Sequence, residues 1–136
     1  SWLVEGRVAV QVPARWTVDR AVAGAGSARL QIISPDDRGQ IIHLTQSVVP
    51  QEQTLEVAAR ALREASAKLP RGIILDFQEA AVSAGRAAVR YREVRGARTV
   101  DWSVLLDGPV RIAVGCQGAA VQAACDTAIR SARRTD

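Results

Sequence analysis

The spacing of hydrophobic positions changes several times along this chain, and each change marks a different element. In the first third, apolar and polar residues alternate, the period of two that is typical of β-strands. The alternating segments are residues 8–12, 16–18, 28–34 and 40–48. Glycine-rich or proline-containing segments at residues 23–27 and 35–39 separate them and predict turns, so the last two strands are expected to form a hairpin.

Between residues 54 and 69 the period lengthens to that of an amphipathic helix. Apolar residues recur there at steps of three and four, whereas charged residues fall on the opposite side at i, i+4 spacing. Pro70 and Gly72 follow and predict its end. The apolar stripe consists of Leu55, Ala58, Leu62, Ala65 and Leu69, and the charged side of Glu56, Arg60, Glu64 and Lys68.

Period two returns after this helix and predicts a second group of strands. A two-residue turn at Gly96-Ala97 sets Tyr91 opposite Trp102 and Arg92 opposite Asp101. In that register the apolar residues of both strands share one face, so turn and hydrophobic pattern agree. Further strands are expected at residues 73–78 and 110–116, and a short helix at residues 120–132.

This order of elements predicts an α+β fold. Strands that follow one another through short turns form antiparallel sheets, so we expect a mainly antiparallel sheet of about six to eight strands with two helices packed on it. The length of 136 residues fits one domain, residues 1–136. No apolar run reaches the roughly 18 residues of a membrane span, and no signal peptide is visible. Ser1 leads directly into strand-like sequence, so we expect the domain to be the C-terminal part of a longer protein.

The charge of the chain argues against nucleic-acid binding. The net charge is +4, but the 18 basic residues are spread along the sequence among 14 carboxylates rather than clustered on one element. One local group on the predicted hairpin is denser. It is interpreted either as a solvated face or as a docking site for an acidic partner or anionic polymer, and it consists of Arg90, Arg92, Arg95 and Arg98.

The two cysteines, Cys116 and Cys125, have three possible interpretations besides unpaired core thiols. A metal site needs about four ligands, or three with an open position, and the chain adds only His43, which alternation places as a surface or interface residue. A redox pair normally has C-x-x-C spacing. Cys116 ends a strand and Cys125 lies on the inner stripe of the last helix, so a disulfide is favoured. A disulfide would place the domain in an oxidising compartment.

No catalytic or cofactor-binding constellation stands out in the sequence. It has no G-x-S-x-G motif, no glycine-rich phosphate loop and a single histidine. Glu93 and Asp101 could form a carboxylate pair, but the hairpin register favours an ion pair between Asp101 and Arg92. Trp102 is expected in the core beside Tyr91. A domain without enzymatic activity or cofactor is therefore expected.

Several short motifs occur in an order that resembles the C-terminal domain of type VII secretion-associated proteins, which are encoded beside secretion clusters in actinobacteria. The resemblance covers nearly the whole chain, and the general layout is similar to the PsbP-like α/β sandwich. The motifs are Val12-Pro13 with Trp16, Gly85-Arg86, Tyr91-Arg92-Glu93, Asp101-Trp102 with Val104, residues 114–117 (V-G-C-Q), Cys125, and Arg130-Ser131.

The resemblance implies a non-catalytic accessory part of a secretion system with protein partners in that apparatus. It also implies a position in the cell envelope, outside the membrane, after an upstream membrane segment that this chain does not include. The family brings no catalytic residues. The alternative is an extracytoplasmic domain that binds a lipid or cell-wall component, and a deep apolar pocket between the helix at residues 54–69 and the sheet would distinguish it. A hydrolase would instead need two carboxylates close together in a cleft.

Overall fold

The structure is a computed structural model that describes residues 1–23, 27–49 and 53–135. Most of the predicted turn at residues 23–27 lies outside these ranges. The elements in chain order are β1 (Trp2–Glu5), β2 (Val8–Gln11), β3 (Thr17–Ala23), β4 (Ser27–Ile33), β5 (Ile41–Val48), α1 (Leu55–Ala67), β6 (Ile74–Ser83), β7 (Arg86–Arg95), β8 (Arg98–Asp107), β9 (Val110–Gln117), α2 (Gln122–Ser131) and β10 (Arg133–Arg134).

The strands form two antiparallel sheets. The larger has seven strands in the order β3-β4-β5-β9-β8-β7-β6, and the smaller has three in the order β1-β2-β10. The predicted α+β fold, mostly sheet with two helices, is confirmed. The sequence pattern did not reveal β1 and β10, which flank β2 in the small sheet.

The two faces of the large sheet are covered differently. We call the face that carries Ile42, Ile112 and Val114 the closed face, because the small sheet and α2 pack on it and form the main hydrophobic core. We call the opposite face the helix face. There α1 packs over Val89 and Val104 in a smaller apolar cluster.

The hairpin of β7 and β8 has the predicted register. Tyr91 lies opposite Trp102 and Arg92 opposite Asp101. Gly96 has a φ of +62°, which glycine adopts without strain, so two residues suffice for the turn. The expected ion pair is also confirmed, since Arg92 Nε donates to Asp101 Oδ1 at 2.9 Å.

Helix α1 begins where the sequence predicts, but its apolar stripe is only partly covered. The side chain of Thr54 accepts a hydrogen bond from Val57 N at 3.2 Å and caps the first turn. Ala58 and Ala59 are buried, whereas Leu69, beyond the last turn, is 46% exposed. Leu62 still packs in the smaller apolar cluster, so the stripe is covered as far as Leu62 but not at Leu69, which follows the helix.

Helix α2 is fixed to the closed face by a disulfide between Cys116 and Cys125, whose Cα atoms lie 5.9 Å apart. The predicted bridge is confirmed, and it indicates an oxidising setting. Arg86 Nη1 donates to the carbonyl oxygens of Ile129 at 2.8 Å and Ala132 at 2.5 Å, at the end of the helix where the last carbonyl groups have no intrahelical donor. Across the three described ranges, neither helix is long and apolar enough to cross a membrane.

The two tryptophans near the N-terminus, Trp2 and Trp16, differ in burial. Trp16 packs against the main core. Trp2 and Val4 lie on the outer side of the small sheet and are 47% and 59% exposed. The guanidinium carbon of Arg133 lies 4.5 Å from the centroid of the Trp2 ring.

Candidate ligand groove

The arginines of the β7–β8 hairpin do not form one surface. Arg90 lies opposite Ser103 and Arg92 opposite Asp101, and the pairing of β8 with β9 places these residues on the closed face. Arg95 lies opposite Arg98, and both side chains are on the helix face. Arg92 also has two carboxylate neighbours, Asp101 and, at 3.6 Å, Asp76. Hydrogen bonding to Asp101 and its charge raise the pKa of Arg92. Strand alternation thus splits the predicted patch into two pairs.

The prediction of His43 as a surface or interface residue is wrong. Its side chain lies on the helix face, is 1% exposed, and its Nε2 lies 2.9 Å from Gln117 Oε1. Alternation placed it correctly opposite the Ile42 face, but β5 is a central strand, so both of its faces are covered. Burial is the main cause that lowers the pKa of His43, and the charges of Arg29 and Arg95 lower it further.

We expect this histidine to make the fold sensitive to mild acid. The folded state keeps the ring neutral, whereas the unfolded chain takes up a proton below a pH of about 6.5. The free energy of unfolding should therefore fall as the pH drops below that value, by up to about 1.4 kcal/mol per pH unit. Urea titrations between pH 7 and pH 5 check this against His43→Asn, which keeps every carboxylate. An equal slope in both proteins would contradict it.

A groove of about 320 Å³ opens between α1 and the helix face. Its roof is one side of the second half of α1 together with Leu69, which follows the helix, and its floor is the sheet from β4 across to β7. The roof residues are Leu62, Ala65, Ser66 and Leu69; Ile74 of β6 also lines the groove; and the floor residues are Arg29, Thr45, Tyr91, Glu93, Trp102 and Ala113.

The shape of the groove floor results from two small side chains, Thr45 and Ala113, next to the large side chain of Trp102. Arg29, Thr45 and Ala113 form one row across β4, β5 and β9, and the last two leave room above the sheet. Trp102 lies against Gly115 on the neighbouring strand, where an added Cβ would be 2.7 Å from Val100 Cγ1 and 3.1 Å from the indole ring. Glycine therefore lets the indole ring lie close to the sheet.

Polar contacts fix the orientation of the floor residues. Trp102 Nε1 donates to Glu93 Oε1 at 2.9 Å. Burial, and to a lesser degree the charge of Glu93, raises the pKa of Tyr91 to about 12, so its hydroxyl remains protonated at neutral pH. Glu93 and Asp101 point to opposite faces of the sheet, so they do not form a carboxylate pair.

One arginine and one glutamate line the groove, and a second arginine lies on the same face of the sheet. The guanidinium carbon of Arg29 lies 5.3 Å from the centroid of the Trp102 ring. Burial, and then the charge of Arg95, lowers the pKa of Arg29. Arg111 lies on the same face, two residues before Ala113, and its Nη2 donates to Gln53 Oε1 at 3.0 Å. Within the described part of the chain, the buried Nε atoms of Arg29 and Arg111 have no hydrogen-bond partner.

Sequence reasoning identified Trp102 and Tyr91 as neighbours but missed Arg29 and Thr45. A signal was present, since Arg29 precedes the buried Leu30 in a strand and so lies on its opposite face. In the described ranges, no three histidine, cysteine or carboxylate side chains are grouped as a metal site would require. The groove combines a largely apolar roof with an aromatic floor that carries one guanidinium and one carboxylate group.

Comparison with known proteins gives no family assignment: no family model matches the chain, and no curated protein matches it.

Proposed function

We propose that this chain is a non-catalytic accessory domain of a type VII secretion system, located outside the cytoplasmic membrane in the cell envelope. Two observations support the proposal. The first is the ordered set of sequence motifs that resembles this family. The second is the Cys116–Cys125 disulfide, because such bonds persist in oxidising compartments.

The observation that carries the proposal is that the motif residues contact one another. In the Y-R-E and D-W motifs, Arg92 bonds to Asp101 and Glu93 bonds to the Trp102 indole. In the V-G-C-Q motif, the glycine lies under Trp102 and Gln117 bonds to His43. Three of the motifs thus meet in one packed unit around β7, β8 and β9.

For the protein contact we favour the outer side of the small sheet, with a membrane component of the secretion apparatus as the partner. Trp2 and Val4 are exposed side by side there, and Arg133 lies over the Trp2 ring. Tryptophan and arginine are the side chains that most often dominate the binding energy of interfaces.

We expect the oxidised domain to capture a membrane component of the apparatus from the cells that encode it. Trp2→Ala should weaken capture roughly tenfold or more, because removal of a central interface tryptophan typically costs about 2 kcal/mol or more. Val82→Ser, at an apolar residue of β6 that is 66% exposed, is the matched control and should leave capture unchanged. Normal secretion after deletion of the gene, together with no captured component, would contradict the proposed function.

The groove favours a second candidate, an envelope domain that binds a small ligand. The space between α1 and the sheet is open, and Leu69 on its roof is 46% exposed rather than packed into a solid core. The groove is not purely apolar, however, because Arg29 and Glu93 line its floor. Binding of a small molecule to the purified chain distinguishes this candidate from the first, which needs no ligand.

A further inference from the structure

A second cavity, of about 370 Å³, lies where the end of α2 meets the small sheet. Three arginines from three elements line it: Arg86 begins β7, Arg130 lies in the last turn of α2, and Arg133 begins β10. We call it the arginine cavity, because no carboxylate is among the described residues that line it. The other lining residues are Trp2, Gln11, Thr127, Ser131 and Ala132.

Hydrogen bonds to the backbone keep these three arginines close together. Arg86 Nη1 donates to the carbonyl oxygens of Ile129 at 2.8 Å and of Ala132 at 2.5 Å. These two carbonyl groups belong to the residues directly before Arg130 and Arg133. The Arg86 guanidinium therefore lies against the peptide groups that lead into both other arginines, and all three side chains reach one cavity.

Two of the guanidinium groups are held in position without an acid. Arg86 is held through Nη1 alone, and among the described residues its Nε and Nη2 have no acceptor. The guanidinium carbon of Arg133 lies 4.5 Å from the centroid of the Trp2 ring, a contact that uses no hydrogen-bond acceptor. Guanidinium groups that are already positioned lose less conformational entropy when they bind a carboxylate.

The carboxylates of the elements that line the cavity are bound to other side chains. Their contacts are Glu5 with Arg20, Glu93 with the Trp102 indole and Asp126 with the Gln122 amide. Within the described ranges, no arginine of the cavity forms an ion pair. The cavity therefore concentrates positive charge that the chain itself does not balance.

The arginine cavity adjoins the apolar surface that we favour for the protein contact. Trp2 lines the arginine cavity and also a neighbouring cavity of about 520 Å³, which Val4 and Ala9 line as well. One partner segment that lies along the small sheet can therefore reach both places. A membrane surface fits this shape less well, because the guanidinium groups converge into a cavity instead of covering a flat face.

We propose that the arginine cavity receives a carboxylate from an acidic segment of the protein partner, and that an apolar residue beside this carboxylate packs on Trp2 and Val4. The inference rests on the proposed function and adds the chemistry of the segment that the small sheet binds. Charge-assisted hydrogen bonds between guanidinium and carboxylate groups provide the specificity. A glutamine of nearly the same shape lacks the charge and cannot replace the acid.

Short peptides in which leucine alternates with glutamate, glutamine or lysine are suitable probes. The readout is the indole N–H signal of Trp2 in nuclear magnetic resonance spectra of the ¹⁵N-labelled full chain, and the buried Trp102 provides the reference signal. At low ionic strength the glutamate peptide should bind at least about tenfold more tightly than the glutamine peptide. This advantage should shrink as salt is added, because salt screens exposed charges.

Two variants locate the carboxylate. Arg130→Gln and Arg133→Gln should each weaken binding of the glutamate peptide roughly tenfold. Arg130→Gln should leave binding of the glutamine peptide unchanged, since Arg130 has no described contact with Trp2. Arg60→Gln is the matched control, because it removes the same charge from an exposed position on α1. The Trp102 signal reports whether each variant remains folded.

Three results would overturn the inference. The first is equal binding of the glutamate and glutamine peptides to the wild-type chain, a comparison that does not depend on any variant. The second is equal weakening in Arg60→Gln and Arg130→Gln, which would assign the attraction to the net charge. The third is binding to phosphatidylglycerol vesicles that Arg130→Gln abolishes, without binding of the glutamate peptide, which would assign the cavity to a lipid surface.

The capture experiment separates this inference from the proposed function. Arg130→Gln should weaken capture of the membrane component roughly tenfold. Capture that depends on Trp2 but on neither Arg130 nor Arg133 would overturn the acidic segment and leave the proposed function in place. If no component is captured, the proposed function fails, and the peptide comparison still decides whether the cavity binds a carboxylate.

Discussion

Trp102→Ala should lower the free energy of unfolding by about 3–5 kcal/mol, the usual cost of removing a large buried aromatic side chain. Trp102 is 3% exposed and lies against Gly115, so its loss leaves a cavity between the sheet and the groove. The variant also removes the indole donor to Glu93, which leaves a half-buried carboxylate without that partner. Arg29 loses the ring over which its guanidinium lies.

Denaturant titration with the disulfide intact measures this change. Trp2→Ala is the matched control, because Trp2 is 47% exposed and should cost less than about 1 kcal/mol. Trp102→Phe should fall between the two, since it retains an aromatic ring but not the N–H donor. If Trp102→Ala were no more costly than Trp2→Ala, Trp102 could not be a structural element of the groove floor.

Local patterns in the sequence predicted the elements that form between neighbours in the chain. The β7–β8 hairpin was correct residue by residue, because Gly96 fixes the turn and the turn fixes the register. The bridge between Cys116 and Cys125 was predicted for a similar reason, since only a short loop separates β9 from α2. Helix α1 was recognised by its period.

Contacts between distant parts of the chain were not predictable in this way. β10 pairs with β2, where Arg133 lies opposite Ala9, and Thr135 N donates to Arg7 O at 2.8 Å. A strand of two residues carries too little alternation to be recognised, and β10 pairs with β2 only where α2 brings the chain end back to it.

The place of the groove between α1 and the sheet was anticipated as the test of ligand binding, but its polar lining was not. An arginine such as Arg29 in an alternating strand normally predicts a solvated face. Its position on the groove floor depends on strand order and on where α1 lies, which no local pattern reports. His43 was misjudged on the same basis, because alternation reports which face a residue occupies but not what covers that face.

Three of the motifs behind the family resemblance, Y-R-E, D-W and V-G-C-Q, pack against one another. The Y-R-E motif lies on β7 and the D-W motif lies opposite it on β8. Arg92 donates to Asp101, and Glu93 accepts a hydrogen bond from the Trp102 indole. The glycine of V-G-C-Q allows Trp102 to lie close to β9, and its cysteine fixes α2. One packed unit therefore connects the floor of the groove on the helix face to the disulfide on the closed face.

Removal of that disulfide should lower the free energy of unfolding by about 2–3 kcal/mol, because the bridge restricts a short loop in the unfolded chain. The suitable variant is Cys116→Ala with Cys125→Ala, since Cys125 is fully buried and a serine hydroxyl there would lack water. Denaturant titrations with and without dithiothreitol measure the change.

Reductant should bring the wild-type protein close to the stability of the double variant and should leave the variant itself unaffected. This internal comparison separates the bridge from the effect of replacing two side chains. A wild-type protein that reductant does not destabilise would contradict the structural role of the disulfide. A reducing compartment would break the bridge and remove part of the free energy that keeps α2 on the closed face. The stability of the fold therefore depends on an oxidising location.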